Sequence, residues 1–246
     1  MSHSEKAILP SGKTQPPPYK DSGLPERAGR FEGGSYTINH CHTSSTLEIS
    51  LQENGRFISR VEALIHMSKG INLEPEEKFS VRPKDNRDVW MRYMTFLGPG
   101  SVTLSPDLLG DILALSINSV MDQGQWSVRT ETILAATDGV YGTLVKKEFD
   151  LGTFRNSQDF NHYTLYGKGI MWLATYGVVN QVKLGADQNQ IVRTNNLVAW
   201  SDCLLSPVKL GGKRPSFVEV QGPGTIYIQT RTIEDWKSLV SWAAPK

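Results

Sequence analysis

An internal repeat is the feature of this sequence that most limits the folds open to it. One block, with an arginine at its second position, occurs in three segments: Ser59–Met67, Val128–Ala136 and Val192–Trp200. A second block, Gly-x-Gly followed by an alternating apolar stretch, begins at three glycines: Gly98, Gly167 and Gly222. The two blocks recur in the same order each time, which a chance match would not produce. The sequence therefore predicts three similar structural units.

The residue types around these blocks are those of β-strands. Three stretches combine β-branched residues with partial alternation: Thr46–Leu51, Asp111–Ile117 and Val178–Leu184. The Gly-x-Gly pairs would let the backbone adopt positive φ or pack closely at a corner. None of them supplies the third glycine, Lys and Ser/Thr of a phosphate-binding loop, so a nucleotide site is not expected. We expect an all-β domain over 31–231, with antiparallel units at about 31–95, 96–165 and 166–231.

The first part of the chain differs from this β region. Residues 1–30 are rich in proline and glycine and lack apolar periodicity, which predicts a disordered arm. Within it, Pro16, Pro17 and Tyr19 fit the PPxY pattern that WW domains bind as a polyproline II segment. A WW-domain ligand and an inert linker are the two interpretations of this motif.

The last part of the chain predicts a short helix over 232–246. Thr232 is a capping residue and Asp235 completes a capping box. The helix then carries an apolar stripe made of Ile233, Trp236, Leu239, Val240 and Ala243. We expect this stripe to pack on the β domain, and a surface for a membrane or partner is the alternative.

The composition excludes several function classes. The chain has 26 Lys and Arg against 25 Asp and Glu, a formal net charge of +1, so DNA binding is not expected. Four aromatic residues lie among apolar neighbours, which predicts core positions and disfavours an RNA-stacking surface: Trp172, Tyr176, Trp200 and Tyr227. No uncharged apolar run approaches the ~18 residues of a transmembrane span. Two distant cysteines, Cys41 and Cys203, predict reduced thiols in an intracellular protein.

Only weak candidates exist for metal binding or catalysis. His40, His42 and Glu48 come close to the first metal motif of cupins, but the gap before the glutamate is too long and the second motif is missing. Cys41 lies between the two histidines without an orienting acid or an oxyanion hole, and Cys203 lies in an apolar run that indicates core. The sequence therefore predicts no metal, no cofactor and no enzymatic activity.

The repeated arginines are the more informative site candidates. They are Arg60, Arg129 and Arg193. In the first two copies a glutamate follows two positions later, at Glu62 and Glu131, and on a strand such a pair shares one face. The third copy has Asn195 instead. One interpretation is a solvent-exposed ladder that fixes register, and the other is an anion-binding cluster for a phosphorylated ligand or lipid headgroup.

Four segments together carry the motifs of a known family. They are Leu97–Leu104 with Gly110–Ile112, Thr132–Val140, Asn196–Trp200 and Gly222–Arg231. In that order they closely resemble the altered-inheritance-of-mitochondria family, which is related to the tryptophan RNA-binding attenuator fold, over about residues 36–231. The resemblance implies three β-sandwich-like units, short variants of the double-stranded β-helix, about a pseudo-threefold axis. It also implies a role in mitochondrial inner-membrane organisation, with no catalytic residues.

These observations favour a non-enzymatic scaffold or assembly protein. Its expected partners are proteins, including a second copy of the chain, which unpaired strand edges or the C-terminal helix would bind. The alternative is a cupin-like β protein that binds a small ligand or a metal. The resemblance implies the mitochondrion, whereas the arm is Pro-rich and contains acidic residues, so it does not match a presequence and leaves the cytoplasm as the alternative location.

Overall fold

The structure is a computed structural model that describes residues 27–41, 43–76, 93–119, 125–147, 160–208 and 217–243. Within them the chain forms nineteen strands and one α-helix. All ladders between these strands are antiparallel. The predicted mostly β architecture with antiparallel sheets and a short C-terminal helix is therefore confirmed.

The strands fall into three consecutive groups along the chain. The first group is β1 (Ala28–Phe31), β2 (Gly34–Cys41), β3 (Ser44–Leu51), β4 (Arg56–Arg60), β5 (Leu64–Met67), β6 (Asn72–Glu76), β7 (Tyr93–Leu97) and β8 (Gly100–Leu104). The second is β9 (Ile112–Asn118), β10 (Trp126–Arg129), β11 (Ile133–Thr137), β12 (Val140–Lys147) and β13 (Phe160–Ala174). The third is β14 (Val179–Leu184), β15 (Asn189–Arg193), β16 (Leu197–Ser201), β17 (Leu204–Val208), β18 (Phe217–Gln221) and β19 (Gly224–Gln229). β1 begins at Ala28, before the end predicted for the arm.

The same set of strand pairs occurs in each group. β8 pairs with β3 and β5, the second half of β13 pairs with β9 and β11, and β19 pairs with β14 and β16. Likewise β7 pairs with β4 and β6, the first half of β13 with β10 and β12, and β18 with β15 and β17. The long strand β13 thus takes the place that β7 and β8, or β18 and β19, take in the other groups.

The predicted Gly-x-Gly corners lie between β7 and β8, between the two halves of β13, and between β18 and β19. The second glycine of each has a positive φ: 149° at Gly100, 156° at Gly169 and 154° at Gly224. A Cβ at Gly169 would overlap the Thr137 side chain, and one at Gly224 would overlap the Ser201 carbonyl. Glycine is therefore required at these corners both by backbone conformation and by close approach.

The strands of the described residues form three hydrogen-bonded sheets. One has the order β1-β2-β3-β8-β5, and the smallest has the order β15-β18-β17. The largest has the order β14-β19-β16-β10-β13-β11-β4-β7-β6, with β9 and β12 also paired to β13. Strands of different groups therefore share the largest sheet.

Buried apolar side chains fill the space between the sheets. Among the described residues they form three clusters, which contain Trp172, Met171 and Trp200 respectively. The fully buried Trp172 ring is met edge-on by Tyr36 at 5.2 Å and by Phe31 at 5.8 Å, so the β1-β2 hairpin covers it. The predicted burial is confirmed for Trp172, Trp200 and Tyr227, whereas Tyr176 is only half-buried.

Helix α1 (Ile233–Ala243) begins with the predicted capping box. The Thr232 amide donates to Asp235 Oδ2 at 2.8 Å, and the Asp235 amide donates to Thr232 Oγ1 at 3.2 Å. Leu239, a member of the predicted apolar stripe, is exposed, so the prediction that the whole stripe packs on the β domain is wrong at this residue. Residues 244–246 of the predicted helix lie outside the described residues.

Candidate functional site

The three repeated arginines occupy the same backbone position. Each is the last residue of its strand and precedes a 3-10 turn, with φ and ψ of −68° and 133° at Arg60, −64° and 136° at Arg129, and −62° and 126° at Arg193. The turns are Val61–Ala63, Thr130–Thr132 and Thr194–Asn196. Because Glu62 and Glu131 lie in these turns, the predicted strand geometry of the Arg/Glu pairs is wrong.

Arg60 is a buried cation that pairs with a carboxylate. Its Nη1 donates to Asp107 Oδ2 at 2.9 Å, and Asp107 lies in the segment between β8 and β9. Its Nε atom is buried and has no hydrogen-bond partner among the described residues. The remote Asp107, rather than the nearby Glu62, is thus the partner that the structure gives this guanidinium.

Arg129 is buried against an aromatic ring. Its Nε donates to Glu131 Oε1 at 2.9 Å, and its guanidinium carbon lies 4.5 Å from the centre of the Phe160 ring. The predicted contact between Arg129 and Glu131 is therefore present, although it spans a 3-10 turn. The Nη1 atom of Arg129 is buried without a partner among the described residues. A guanidinium over an aromatic face gains a cation–π interaction that strengthens as water is excluded.

Arg193 differs from the other two because its side chain is 46% exposed. Its Nη1 donates to Asp235 Oδ1 at 3.2 Å, which ties the end of β15 to the first turn of α1. Burial opposes ionisation of Asp235, but hydrogen bonds from Thr232 and Arg193 outweigh it and lower the pKa of that carboxyl. The predicted solvent exposure is found here and not at the two buried arginines, so the exposed-ladder interpretation is wrong for those two.

The charges of several segments act on the phenol of Tyr176. Burial raises the pKa of its phenol, and the charges of Asp107, Glu131 and Glu234 raise that pKa further, while Arg60 lowers it. These groups therefore lie within electrostatic range of one half-buried side chain in the segment between β13 and β14. Asp107 and Glu131 already neutralise Arg60 and Arg129. The anion-binding interpretation of the repeated arginines therefore stays a prediction.

Of the two predicted metal candidates, the structure describes His40 alone. His42 lies outside the described residues, and the described part of the chain contains no group of three or more His, Cys, Asp or Glu side chains that could hold a metal ion. His40 instead contacts Ser45 and Asp111. The recess beside it, which Arg27 also lines, has room for about one water molecule.

The contacts of His40 do not form a catalytic triad. Ser45 Oγ lies 2.7 Å from His40 Nδ1 and donates to Asp111 Oδ1 at 2.8 Å. Asp111 Oδ1 lies 3.1 Å from the same Nδ1 atom. In a hydrolase triad, serine and carboxylate contact opposite nitrogens of the imidazole ring. Here both meet one nitrogen, and Asp111 also accepts from the Ile112 amide, so the contacts join β2, β3 and the start of β9.

Two sequence candidates remain, the PPxY motif and the apolar run that begins at Cys203. The PPxY residues Pro16, Pro17 and Tyr19 lie outside the described residues. Cys203 is partly buried and its neighbour Leu204 is exposed, so the prediction that the whole apolar run is core is wrong. This run enters β17, an edge strand whose successive side chains alternate between the two faces of its sheet.

Two ladders join strands that belong to different groups. β4 pairs with β11, placing Ser59 opposite Ala135, and β10 pairs with β16, placing Val128 opposite Ala199. In the aligned repeat Ser59 and Val128 occupy the same position, as do Ala135 and Ala199. We call the β4-β11 and β10-β16 ladders the two joints. They therefore have the same register.

Each joint pairs a strand that ends at a repeated arginine with a strand that follows a 3-10 turn. Among the described residues, one strand of each kind has no such partner. By position in the repeat, β5 matches β11 and β16, while β15 matches β4 and β10. Within the described part of the chain β5 pairs with β8 alone and β15 with β18 alone. Each carries apolar side chains that face solvent: Ile65 is 53% exposed, Met67 38% and Ile191 51%, while Val192 of β15 is buried. We call β5 and β15 the open edges.

The open edges and the arginine partners are the features that sequence reasoning missed. The repeat predicts which strands are equivalent, but it does not predict which of the equivalent strands pair with one another. Asp107 and Phe160 carried no sequence signal, because each reaches its arginine from a distant part of the chain.

Fold and site together define the class: an antiparallel all-β protein whose groups of strands share a sheet. A family model described as "Mitochondrial biogenesis AIM24" matches residues 36–231. The chain belongs to the AIM24 mitochondrial biogenesis family. The predicted resemblance is thereby confirmed.

Comparison with solved structures supports the fold. The protein SPYM3_0169 from Streptococcus pyogenes superimposes with a TM-score of 0.67 at 16% sequence identity, and the match covers 85% of this chain and 99% of that chain. Comparison with curated proteins gives no match. Among the described residues, no helix has the length and apolar character needed to cross a membrane.

Proposed function

We propose that this protein is a non-enzymatic scaffold or assembly protein that acts in mitochondrial organisation. The observation that carries the proposal is the pair of open edges, β5 and β15, with apolar side chains in solvent. Unpaired strands present free backbone donors and acceptors and are templates for pairing with another chain. Membership of a family named for mitochondrial biogenesis supports the place of action.

We also infer that the three groups of strands are three tandem units about a pseudo-threefold axis. The repeated strand pairs, the matching Gly-x-Gly corners and the identical register of the two joints support this arrangement. In such an arrangement each unit is thin on core by itself and depends on its neighbours for stability.

The geometry of the polar cluster around His40 supports a function without catalysis. Its serine and carboxylate share one imidazole nitrogen, and its recess has room for about one water molecule. No contact among the described residues favours the alternative of a cupin-like small-ligand or metal site.

A variant of one open edge tests the proposal in cells that lack the native gene. The Ile191→Lys variant places a charge on β15 that should prevent burial of this edge against a partner. The control, Leu204→Lys, places the same charge on an exposed residue of β17 in the same sheet. Wild type and Leu204→Lys should restore inner-membrane folds in tomograms, and Ile191→Lys should not. Equal restoration by all three proteins, each shown to be folded by circular dichroism, would contradict the proposal.

A further inference from the structure

We propose that β5 and β15 pair with each other in the same chain, forming a third joint that opens and closes. This inference rests on the proposed function, because the closed joint covers both open edges and so controls their access to partners. The two observed joints show which strands fit: a strand that ends at a repeated arginine pairs with the strand that follows the 3-10 turn of the next group. β15 is the remaining strand of the first kind and β5 that of the second.

The two smaller sheets correspond to the two halves of a sheet that occurs at each joint. At one joint β6-β7-β4 meets β11-β13-β9 through the second half of β13, and at the other β12-β13-β10 meets β16-β19-β14 through its first half. The remaining equivalent halves are β17-β18-β15 and β5-β8-β3, which lie in separate sheets that each end in an open edge. The inferred pseudo-threefold axis places these two ends side by side, so pairing of β5 with β15 would complete a third sheet of the same kind.

The register of the third joint follows from the two observed ones. Three residues opposite one another in each joint share the same repeat positions: Ala135↔Ser59, Ala136↔Ile58 and Thr137↔Phe57 in one, and Ala199↔Val128, Trp200↔Ser127 and Ser201↔Trp126 in the other. Carried to the open edges, this register pairs His66 with Val192, Met67 with Ile191 and Ser68 with Gln190.

Side-chain burial in the two observed joints indicates what the third would cover. Met67, which is 38% exposed, takes the position at which Ala136 and Trp200 are both buried. Ile191, which is 51% exposed, takes the position at which Ile58 is fully buried. Pairing would place the side chains of Met67 and Ile191 opposite each other and remove their apolar surface from water, which favours closure.

His66 is the residue that weakens this joint and lets it open. Its counterparts in the observed joints are Ala135 and Ala199, both fully buried. Closure would move the exposed imidazole of His66 opposite Val192, a member of a buried apolar cluster. Burial of a polar side chain costs free energy unless it finds a hydrogen bond, so the third joint is less stable than the other two.

Disulfide trapping within one chain tests the pairing and its register. Full-length protein with Cys41→Ser and Cys203→Ser carries Met67→Cys together with Ile191→Cys and is kept dilute during mild oxidation. The matched control joins Met67→Cys with Leu204→Cys, an exposed position on β17, two strands away from β15. We expect roughly tenfold more internally bonded monomer than in the control, because a disulfide forms only when Cα atoms lie within about 7 Å. Equal yields in the two proteins, or disulfides formed only between chains, would overturn the inference.

A further substitution tests the role assigned to His66. Added to the Met67→Cys and Ile191→Cys protein, His66→Ala should speed formation of the internal disulfide severalfold, because the closed joint would then bury alanine as the observed joints do. Ile65→Ala, on the same strand, is the matched control and should not speed the reaction, because it removes an exposed apolar side chain. A rate unchanged or lowered by His66→Ala would show that this residue does not hold the joint open.

Two readouts separate this inference from the proposed function. If no internal disulfide forms while Ile191→Lys still abolishes rescue in cells, the third joint is refuted and the open edge binds its partner without this control. If the internal disulfide forms while Ile191→Lys restores the inner-membrane folds as wild type does, the pairing of β5 with β15 stands and the proposed function fails.

Discussion

At the scale of single residues, equivalent positions acquire different environments. Arg129 and Arg193 share a backbone conformation, yet one guanidinium is buried over Phe160 and the other reaches solvent beside Asp235. The repeat in the sequence predicted the shared position. It did not predict the burial, which depends on side chains that approach from distant segments.

Replacing the buried arginine should therefore cost more stability than replacing the exposed one. We expect Arg129→Ala to lower the free energy of unfolding by about 2–3 kcal/mol, since it removes a cation–π contact and a partly buried ion pair. Arg193→Ala should cost less than about 1 kcal/mol, as is usual for ion pairs in solvent. Urea denaturation of both variants measures the difference, and equal losses would contradict this account of the site.

Four tyrosines make the stability sensitive to alkaline pH. Burial is the first cause that raises the pKa of each phenol: Tyr93, Tyr163, Tyr176 and Tyr227. In the unfolded chain these phenols ionise near pH 10. The folded state keeps these phenols neutral to a higher pH than the unfolded chain does. The free energy of unfolding should therefore be unaffected by them below pH ~10 and should fall as the pH rises above that value.

Two measurements follow the ionisation of these tyrosines and the unfolding together. Absorbance at 295 nm should show that part of the tyrosine ionises only when circular dichroism reports loss of the β structure. Complete ionisation near pH 10 with the fold intact would show that the four phenols are accessible to hydroxide in the native state.

At the scale of elements, the Gly-x-Gly corners lie where the chain changes its pairing partners, as β13 does between β12 and β9. Gly169 combines a φ of 156° with a position where a Cβ would overlap Thr137, whose hydroxyl accepts from the Ile170 amide at 2.9 Å. Gly185 lies in a turn with ordinary van der Waals room for a methyl group. Alanine substitutions at the two positions therefore distinguish the steric requirement at the corner from a general effect of replacing glycine.

The Gly169→Ala variant should be destabilised by about 2 kcal/mol or more, through backbone strain and overpacking. The control Gly185→Ala should change stability by less than about 1 kcal/mol. Thermal and urea unfolding of both proteins would measure these effects. A Gly169→Ala variant as stable as the control would mean that the corner relaxes without cost.

Much of the element pattern was predictable from residue types. Alternation placed β3, β9 and β14, the glycine pairs marked the corners, and Thr232 with Asp235 marked the start of the helix. The exposed Leu204 and Leu239 were not predictable, because an apolar residue is core only if another element covers it. That cover is a property of topology rather than of the local sequence.

At the scale of the whole molecule, the joints connect the three groups of strands. The repeat predicts which strands are equivalent, and the structure shows that two equivalent pairs form ladders inside the chain. Which edges stay open could not be predicted from sequence, because it depends on how the sheets are shared. His40, Ser45 and Asp111 likewise meet only through the fold, and their shared nitrogen gives them no catalytic geometry.

Charge on an open edge should dissociate the assembly without unfolding the chain. The Ile191 side chain is exposed in the single chain. The free energy of unfolding of the Ile191→Lys variant in urea should therefore match that of wild type within about 0.5 kcal/mol. Analytical ultracentrifugation should show a smaller species than wild type, whereas Leu204→Lys should sediment as wild type does. A loss of assembly in both variants would point to net charge rather than to the β15 edge.

The central claim is that the open edges assemble this protein, and the mass of the full-length chain in solution tests it most directly. Light scattering across a range of micromolar concentrations should give a multiple of the 27.4 kDa chain mass, or a mass that rises with concentration. A mass of 27.4 kDa at every concentration would contradict the claim.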